Sequence, residues 1–454
     1  MVQQTCKPKT FRITTLGCKV NQFESACLVQ DLTARGWQPA DPGQSADLHI
    51  VNTCAVTGRA SMQSRQAVRR ATRRDPEARI VATGCYAQTR PQDLQKIGGL
   101  QAIVGHAGKF NLAHTADAFL SPQSPLPTVS GTEGVDARPF AHPTLKHFNR
   151  RTRPFLKIQD GCNAFCTYCI VPYARGRSCS MPPDKVLSSL QSYADAGYHE
   201  VVLSGIHLGA YGLDLNPPTT LPDLLRRIAH EARVARVRLS SIEPHELTPG
   251  MLDLVADGTR FCAHVHIPLQ SGDDGILERM RRPYDRRFFQ SLVHDIHRRM
   301  PHAAIGVDVL VGFPGESPAA FENTRALIEA LPVSYLHVFP FSARPGTAAY
   351  HFADHIDAAE IKARCSEMRK LGLRKRMALY QSILGRSVEI LVEQERDART
   401  GFLKGLTSNY VPVLVDGPDK LKNRLVRVAA QTLIGQRAVA GRLDSPTGGL
   451  HPLD

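Results

Sequence analysis

Three cysteines, Cys162, Cys166 and Cys169, crowd one short loop, GCNAFCTYC, that starts where the strand-like segment FLKIQDG (155–161) ends. Spacings of three and then two residues hold three thiols in a tight turn. Three thiolates leave one corner of a cuboidal [4Fe–4S] cluster without a protein ligand. Clusters are commonly held by four cysteines, so a set of three implies an exchangeable iron. A structural zinc site would want four closed ligands, and no His stands at a finger-like spacing nearby. Chance clustering is the third reading.

A second set is dispersed. Cys18, Cys54 and Cys85 lie 36 and 31 residues apart, and each directly follows a strand-like run: TTLG, VNT and VATG. In a parallel sheet the carboxyl ends of neighbouring strands share an edge where ligands bind. Three cysteines at three such ends converge on one point. The alternative is that each is a buried small hydrophobe. Convergence gives a second three-thiolate site, again with an open iron. Of the eleven cysteines, five then remain: Cys6, Cys27, Cys179, Cys262 and Cys365. Cys27 and Cys262 read as core, Cys6 lies near the amino end, and Cys179 and Cys365 stand in basic surroundings that favour thiol reactivity. An odd total excludes complete pairing. The opening MVQQTCKPKTFRITTLG lacks a signal-peptide centre, and no apolar run approaches the ~20 residues of a membrane helix. Cytoplasm is the expected compartment, where structural disulfides are rare.

The rhythm along the chain supplies the fold class. Strands at 11–17, 47–53 and 79–84 alternate with helices, the first spacing Phe23, Ala26, Cys27, Gln30 and Ala34 and stopping near Gly36, the second Arg-rich over 59–74. This predicts a doubly wound parallel sheet over residues 10–118. Residues 119–147, rich in Pro, Gly and Ser, read as a linker. A second alternation over 148–378 holds six strand–helix units. Six suit a partial (β/α)6 barrel better than an eightfold one. Within it, Asp184 is expected to cap a helix that ends near Gly197. A basic helix at 361–384 leads to four short alternating strands over 381–444, a small β-barrel. Residues 445–454 read as a tail.

The motifs resemble a known family. CNAFCTYC fits the CxxxCxxC motif of radical S-adenosylmethionine (SAM) enzymes, and its pairing with the amino-terminal triad resembles the radical SAM methylthiotransferases over nearly the whole chain. The resemblance implies an α/β chain of three parts: a methylthiotransferase amino-terminal domain, a radical SAM barrel and a carboxyl-terminal TRAM domain. Three branches modify isopentenyladenosine in tRNA, threonylcarbamoyladenosine in tRNA, or an aspartate of a ribosomal protein. TLGCKVNQFES (15–25), NTCAVTGRASMQSRQAVRR (52–70), IQDGCNAFCTYCIVPYARG (158–176) and DVLVGFPGE (308–316) are most similar to the threonylcarbamoyladenosine branch. The isopentenyl branch typically carries GCQMN. After ARG the family often continues through further arginines; RSCSMPP here, with Cys179, departs from that.

The resemblance assigns Cys162, Cys166 and Cys169 to a SAM-binding [4Fe–4S] cluster and Cys18, Cys54 and Cys85 to an auxiliary one. It implies two SAM molecules. One is cleaved to a radical that attacks the unactivated C2–H bond of adenine, chemistry that a cofactor must supply, and one methylates the inserted sulfur. Tyr168 inside the loop, and Ser204, Ser241, Gln270 and Gly312 at strand ends, are the expected SAM contacts. The expected partners are a tRNA anticodon stem-loop and a flavodoxin- or ferredoxin-type electron donor, with the protein monomeric. A net charge of +14 fits RNA. Basic runs supply Arg69, Arg70, Arg281, Arg282, Arg374 and Lys375 as phosphate contacts, and single-stranded loop bases are the accessible targets. Phe402 and Tyr410 are expected to fill the core of the small barrel. A metal-stabilised RNA-binding protein without catalysis is the non-enzymatic alternative.

Overall fold

The structure, a computed structural model, describes residues 8–120, 129–130, 140, 145, 148 and 151–444. Cys6 and the segment 445–454 lie outside them.

The first unit contains β1 (Thr10–Thr15), α1 (Lys19–Ala34), β2 (Gln38–Pro39), β3 (Leu48–Thr53), α2 (Gly58–Arg74), β4 (Arg79–Gly84), α3 (Cys85–Thr89), α4 (Pro91–Gln95), β5 (Ala102–Val104), α5 (Leu112–Leu120) and β6 (Val129–Ser130). The sheet order is β2-β1-β3-β4-β5-β6, parallel throughout. β3 reads LHIVNT with no polar alternation, and all six residues are buried, as a strand covered on both faces requires. Leu28 and Leu32 of α1 pack with Ile50 and Val81 on one face; Ala67, Val68 and Ala71 of α2 pack with Val51 and Ala82 on the other. The linker reading of 119–147 is corrected at its described residues. α5 runs to Leu120, β6 pairs with β5, and Phe140 and Leu145 are buried in the barrel core. Isolated aromatics among Pro and Gly carry no period, so composition alone misses them.

The second unit holds β7 (Phe155–Lys157), the hairpin β8 (Gln159–Asp160) and β9 (Cys179–Ser180) around α6 (Val171–Arg175), then α7 (Pro183–Asp195), β10 (Glu200–Ser204), α8 (Leu221–Glu231), β11 (Arg236–Leu239), α9 (Pro249–Ala256), β12 (His264–Gln270), α10 (Asp274–Arg279), α11 (Arg286–Arg299), β13 (Ala304–Val311), α12 (Pro318–Ala330), β14 (Tyr335–Pro340) and α13 (Ala358–Ser382). Parallel ladders β7-β10-β11 and β12-β13-β14 are joined by a bridge between Val237 and Phe261. The result is an open six-stranded barrel. Gly306 on β13 is required there: a Cβ would lie 2.2 Å from the Tyr335 ring. Asp184 is not a cap. Pro182 occupies the cap position of α7 without a side-chain bond, and Asp184 pairs with Arg227 at 2.9 Å. Gly197 does end the helix, at φ +81°. Cys365 is buried in the barrel core and burial raises its pKa, so the reactivity expected from its basic neighbours is corrected.

The third unit is a closed barrel of β15 (Ser387–Arg396), β16 (Leu403–Thr407), β17 (Pro412–Val415), β18 (Leu425–Ile434) and β19 (Ala438–Leu443), in the order β15-β16-β17-β19-β18. The fifth strand, AVAGRL, closes it. Gly441 in that strand has no Cβ, which would meet Val428 at 2.2 Å. Arg238 bonds the Thr407 and Ser408 carbonyls, at 3.2 and 2.8 Å, and Glu200 at 2.8 Å, which docks this barrel on the second. Tyr410 is not in its core. It stacks on His264 at 4.8 Å and lies against Arg238 at 5.0 Å, at the junction of the two barrels. Phe402 is half-buried and outside the buried cluster of this barrel.

One network locks the first unit to the second. Glu24 of α1, fully buried, meets Lys109 at 2.7 Å, Arg175 of α6 at 2.9 Å and Lys157 of β7 at 3.4 Å. Arg175 and Lys157 also hold Asp160, at 2.8 and 3.0 Å. Burial alone would raise the Glu24 pKa; Arg175, Lys109 and Lys157 together hold it well below the usual carboxylate range. Its contribution to stability is therefore complete above about pH 4.3, its unfolded value, and is lost as pH falls toward its folded pKa. Glu24→Gln leaves three buried cations short of a carboxylate. It is expected to destabilise the fold by about 3–5 kcal/mol, read as a lower guanidinium midpoint at pH 7, with the gap to wild type closing in acid.

Candidate active site

Cys18, Cys54 and Cys85 stand at the carboxyl ends of the adjacent strands β1, β3 and β4. Cys18 caps α1 and is exposed; Cys54 and Cys85 are buried. Gly17, at φ +95°, lies so close that a Cβ would come within 2.9 Å of the Cys54 sulfur. The Ser64 hydroxyl fixes Cys54, accepting from its N–H at 3.0 Å and donating to its carbonyl at 2.9 Å. Thr53 links β3 to the Cys85 turn by donating to the Thr83 carbonyl, at 2.6 Å, and accepting from the Ala87 N–H, at 3.0 Å. Asn21 donates to the carbonyls of Leu16 and Thr53, drawing the ends of β1 and β3 together. Burial, then the neighbouring Cys85 thiol, pushes Cys54 up to about 12. Burial also raises Cys85. Metal binding would displace those protons.

The second triad follows β8. Gln159 anchors its loop, donating to the Gly161 carbonyl at 2.8 Å while its amide oxygen accepts from the N–H groups of Ile206 and His207. Gly161, at φ +70°, has no room for a Cβ, which would fall 1.9 Å from the Arg177 carbonyl. The Ala164 N–H points to Cys162 Sγ at 3.4 Å, and Arg282 Nη1 points to Cys166 Sγ at 3.3 Å. His207 Nδ1 lies 3.4 Å from Cys162 Sγ and its Nε2 is 2.8 Å from Glu246. Burial would lower the His207 pKa, yet Cys162 and Glu246 raise it to about 10. Burial, then Cys166, lifts Cys169 to about 12.

A cavity of about 240 Å³ opens on this loop, lined by all three cysteines with Tyr168, Ser241, Glu243, Gln270, Arg282 and Asp308. A second, of about 220 Å³, shares Tyr168, Gln270 and Asp308 and reaches Val56 and Thr57, just beyond Cys54. The second cavity thus joins the space at Cys162, Cys166 and Cys169 to the segment that follows Cys54. Asp308 also holds His266 Nε2 at 2.9 Å and His337 Nδ1 at 3.2 Å. These three are the one group of His, Cys, Asp and Glu, among the described residues, whose ligand atoms lie within 4.8 Å of one another. Neither thiol triad closes to that spacing. A single zinc, with Zn–S of about 2.3 Å, would draw thiolates to within about 4 Å. Soft thiols set wider, with N–H donors aimed at sulfur, fit an iron–sulfur cluster instead.

The expected SAM contacts divide. Tyr168, Ser241 and Gln270 line the cavity. Ser204 and Gly312 do not. Ser204 is buried, and Gly312, at φ +80°, admits α13, since a Cβ would lie 2.4 Å from Ile361. The expected RNA contacts divide as well. Arg69, Arg70 and Arg281 are exposed. Arg282 is buried, pairs with Glu243 and faces Cys166, so it belongs to the cluster loop. Arg374 pairs with Glu329 at 3.0 Å, and Lys375 donates to the carbonyls of Glu329 and Leu331 at 2.7 Å each, capping α12. Sequence reasoning missed Gln159, His207, Glu243 and the Glu24 network. IQDG directly before the cysteines was the local signal for Gln159 and Asp160; the others are joined only by folding.

Residues 10–105 match the model described as "Uncharacterized protein family UPF0004", and residues 156–328 match the radical SAM superfamily. The radical SAM methyltransferase TsrM from Kitasatospora setae, solved with cobalamin and a [4Fe–4S] cluster, shares the fold at TM-score 0.55 and 16% identity, over 75% of this chain and 77% of that one. An open radical SAM barrel carrying an amino-terminal cysteine-bearing sheet is the class these features define. The threonylcarbamoyladenosine tRNA methylthiotransferase MtaB of Bacillus subtilis (strain 168) is 36% identical over 92% of this chain and 93% of that one. Its namesake in Aquifex aeolicus (strain VF5) is 35% identical over 91% and 98%. The tRNA-2-methylthio-N(6)-dimethylallyladenosine synthase of Moorella thermoacetica is 30% identical over 92% and 95%. This chain belongs to the MtaB-type family of radical SAM methylthiotransferases.

Arg282→Ala tests the reassignment of that side chain. Iron retained after desalting is expected to fall, while affinity for tRNA stays within about twofold of wild type, because a buried guanidinium makes no phosphate contact. A matching loss of RNA affinity with full iron would return Arg282 to the RNA surface.

Proposed function

We propose that this protein converts N6-threonylcarbamoyladenosine at position 37 of tRNA to its 2-methylthio derivative, with two [4Fe–4S] clusters and two molecules of SAM. The observation that carries the reading is the cavity at Cys162, Cys166 and Cys169, which adjoins through Tyr168, Gln270 and Asp308 a second cavity reaching Val56 and Thr57 beside Cys54. The MtaB relatives supply the substrate. Cys162, Cys166 and Cys169 would hold a [4Fe–4S] cluster that would supply the electron for reductive cleavage of SAM, and Cys18, Cys54 and Cys85 would hold one that would supply sulfur for the methylthio group.

The chain's own residues set the rest. Gln159 and Gly161 hold the cysteine loop at the barrel mouth, and Arg282 and Ala164 direct positive and N–H dipoles at its sulfurs, which tunes a cluster electronically. Tyr168, Ser241 and Gln270 line the space for SAM. Arg69, Arg70 and Arg281 remain free to meet phosphates on the RNA surface. No helix among the described residues is long and apolar enough to cross a membrane. The reading places the protein in the cytoplasm as a monomer, reduced by a flavodoxin- or ferredoxin-type donor.

Nucleoside mass spectrometry of tRNA from a deletion strain is expected to show loss of the methylthio group from threonylcarbamoyladenosine. Complementation with Cys166→Ala restores nothing, and the purified variant cleaves no SAM. Cys54→Ala retains some SAM cleavage but inserts no sulfur. Unchanged tRNA beside an altered ribosomal protein would overturn the substrate, and continued thiolation by Cys54→Ala would overturn the second site.

A further inference from the structure

The cleft where the three units meet belongs to neither cysteine loop. Its volume is about 500 Å³, and its walls include Lys19, Arg151, Arg153, Arg238, Lys404 and Tyr410. Most of these cations are compensated. Arg153 pairs with Glu393 at 3.0 Å, Arg238 with Glu200 at 2.8 Å, and Lys404 approaches Glu395 at 3.9 Å. Two are not. Arg151 bonds the neutral amide of Gln22 and lies over the Phe155 ring at 4.9 Å. Lys19 is half-buried and has no hydrogen bond or ion pair among the described residues. Arg151 is exposed and Lys19 half-buried; a half-buried cation without an ion pair gains from an anion at its tip, and the cleft gathers five cations around that point.

Its position says which anion. Lys19 directly follows Cys18 and lies within electrostatic range of Asp308, which lines both cavities at the cysteines. The cleft therefore runs from the docked small barrel up to the edge of the auxiliary triad. Backbone phosphates stay on the outside of an RNA loop, whereas Lys19 is half-buried beside Cys18. The anion that enters with the base is the carboxylate ending the N6 substituent of threonylcarbamoyladenosine, carried on C6, across N1 from the reacting C2. Tyr410, stacked on His264, and Phe155 offer flat apolar surface beside the charges, which suits the methyl-bearing chain that leads to the carboxylate. Resting on the function proposed above, we propose that Lys19, with Arg151, binds that carboxylate and so selects the threonylcarbamoyl group over uncharged N6 substituents.

The test uses anaerobically reconstituted full-length protein and fluorescent anticodon stem-loops carrying either threonylcarbamoyladenosine or its methyl ester, which differ by one charge. Wild type is expected to bind the acid at least about tenfold more tightly, the worth of one charged hydrogen bond. Lys19→Met should erase that preference by weakening the acid alone, with iron content unchanged, and Lys19→Arg should restore most of it. If Lys19→Met loses iron through its neighbour Cys18, Arg151→Gln, which touches no cysteine, must still lower the preference severalfold. A preference that survives both variants, or an equal loss for acid and ester, which is the mark of a phosphate contact, overturns the proposal. Wild-type protein that thiolates no threonylcarbamoyladenosine loop overturns the function itself, and the carboxylate site with it.

Discussion

A single buried carboxylate sets the geometry of this molecule. Glu24 rises from the helix that Cys18 caps and is gripped by cations from three places: Lys109 in its own unit, and Lys157 and Arg175 in the barrel. Arg175 closes the short helix after the second cysteine loop, and it also donates to the Asn21 side chain at 2.6 Å. The element that carries one triad is thereby pinned to the element that follows the other. Salt bridges of this depth are costly to assemble and more costly to break. Here they fix the relative placement of the two cysteine sets.

The network also has a sign. Three cations, Lys109, Lys157 and Arg175, face two carboxylates, Glu24 and Asp160, which leaves one positive charge in excess. Arg175 and Lys109 both act on Cys85. A cluster held by thiolates brings negative charge into the same low-dielectric region, where such compensation counts most. The interface thus serves both the fold and the electrostatics of Cys85. Arg282, held by Glu243, points its guanidinium at Cys166 in the other set.

The cysteine sets were legible because ligand spacing and strand ends are local properties. CxxxCxxC needs one loop, and three cysteines each placed after a strand need only the rule that parallel strands end at a common edge. The three-part architecture was legible from its rhythm. What escaped was fixed by contacts far apart in the chain. Arg281 and Arg282 are neighbours in one basic run, yet one is exposed and the other lies against a thiol. Lys375 looked like a phosphate contact and is a cap for α12. Gly312 looked like a ligand contact and is a gap for α13. Asn21, Glu24 and Lys109 have ordinary surroundings in sequence and acquire meaning only beside residues 85 to 154 positions away. A charge run shows that cations exist; only packing decides which of them are spent inside.

The central claim is that two three-thiolate clusters face one shared space, held there by the Glu24 network. Diffraction from anaerobically reconstituted crystals, recorded at the iron edge, tests it most directly. The account predicts two iron peaks, one bounded by Cys18, Cys54 and Cys85 and one by Cys162, Cys166 and Cys169, each with a fourth iron free of protein and turned toward the cavities around Tyr168, Gln270 and Asp308. One peak only, a zinc edge, or two clusters whose open corners face away from those cavities would contradict it.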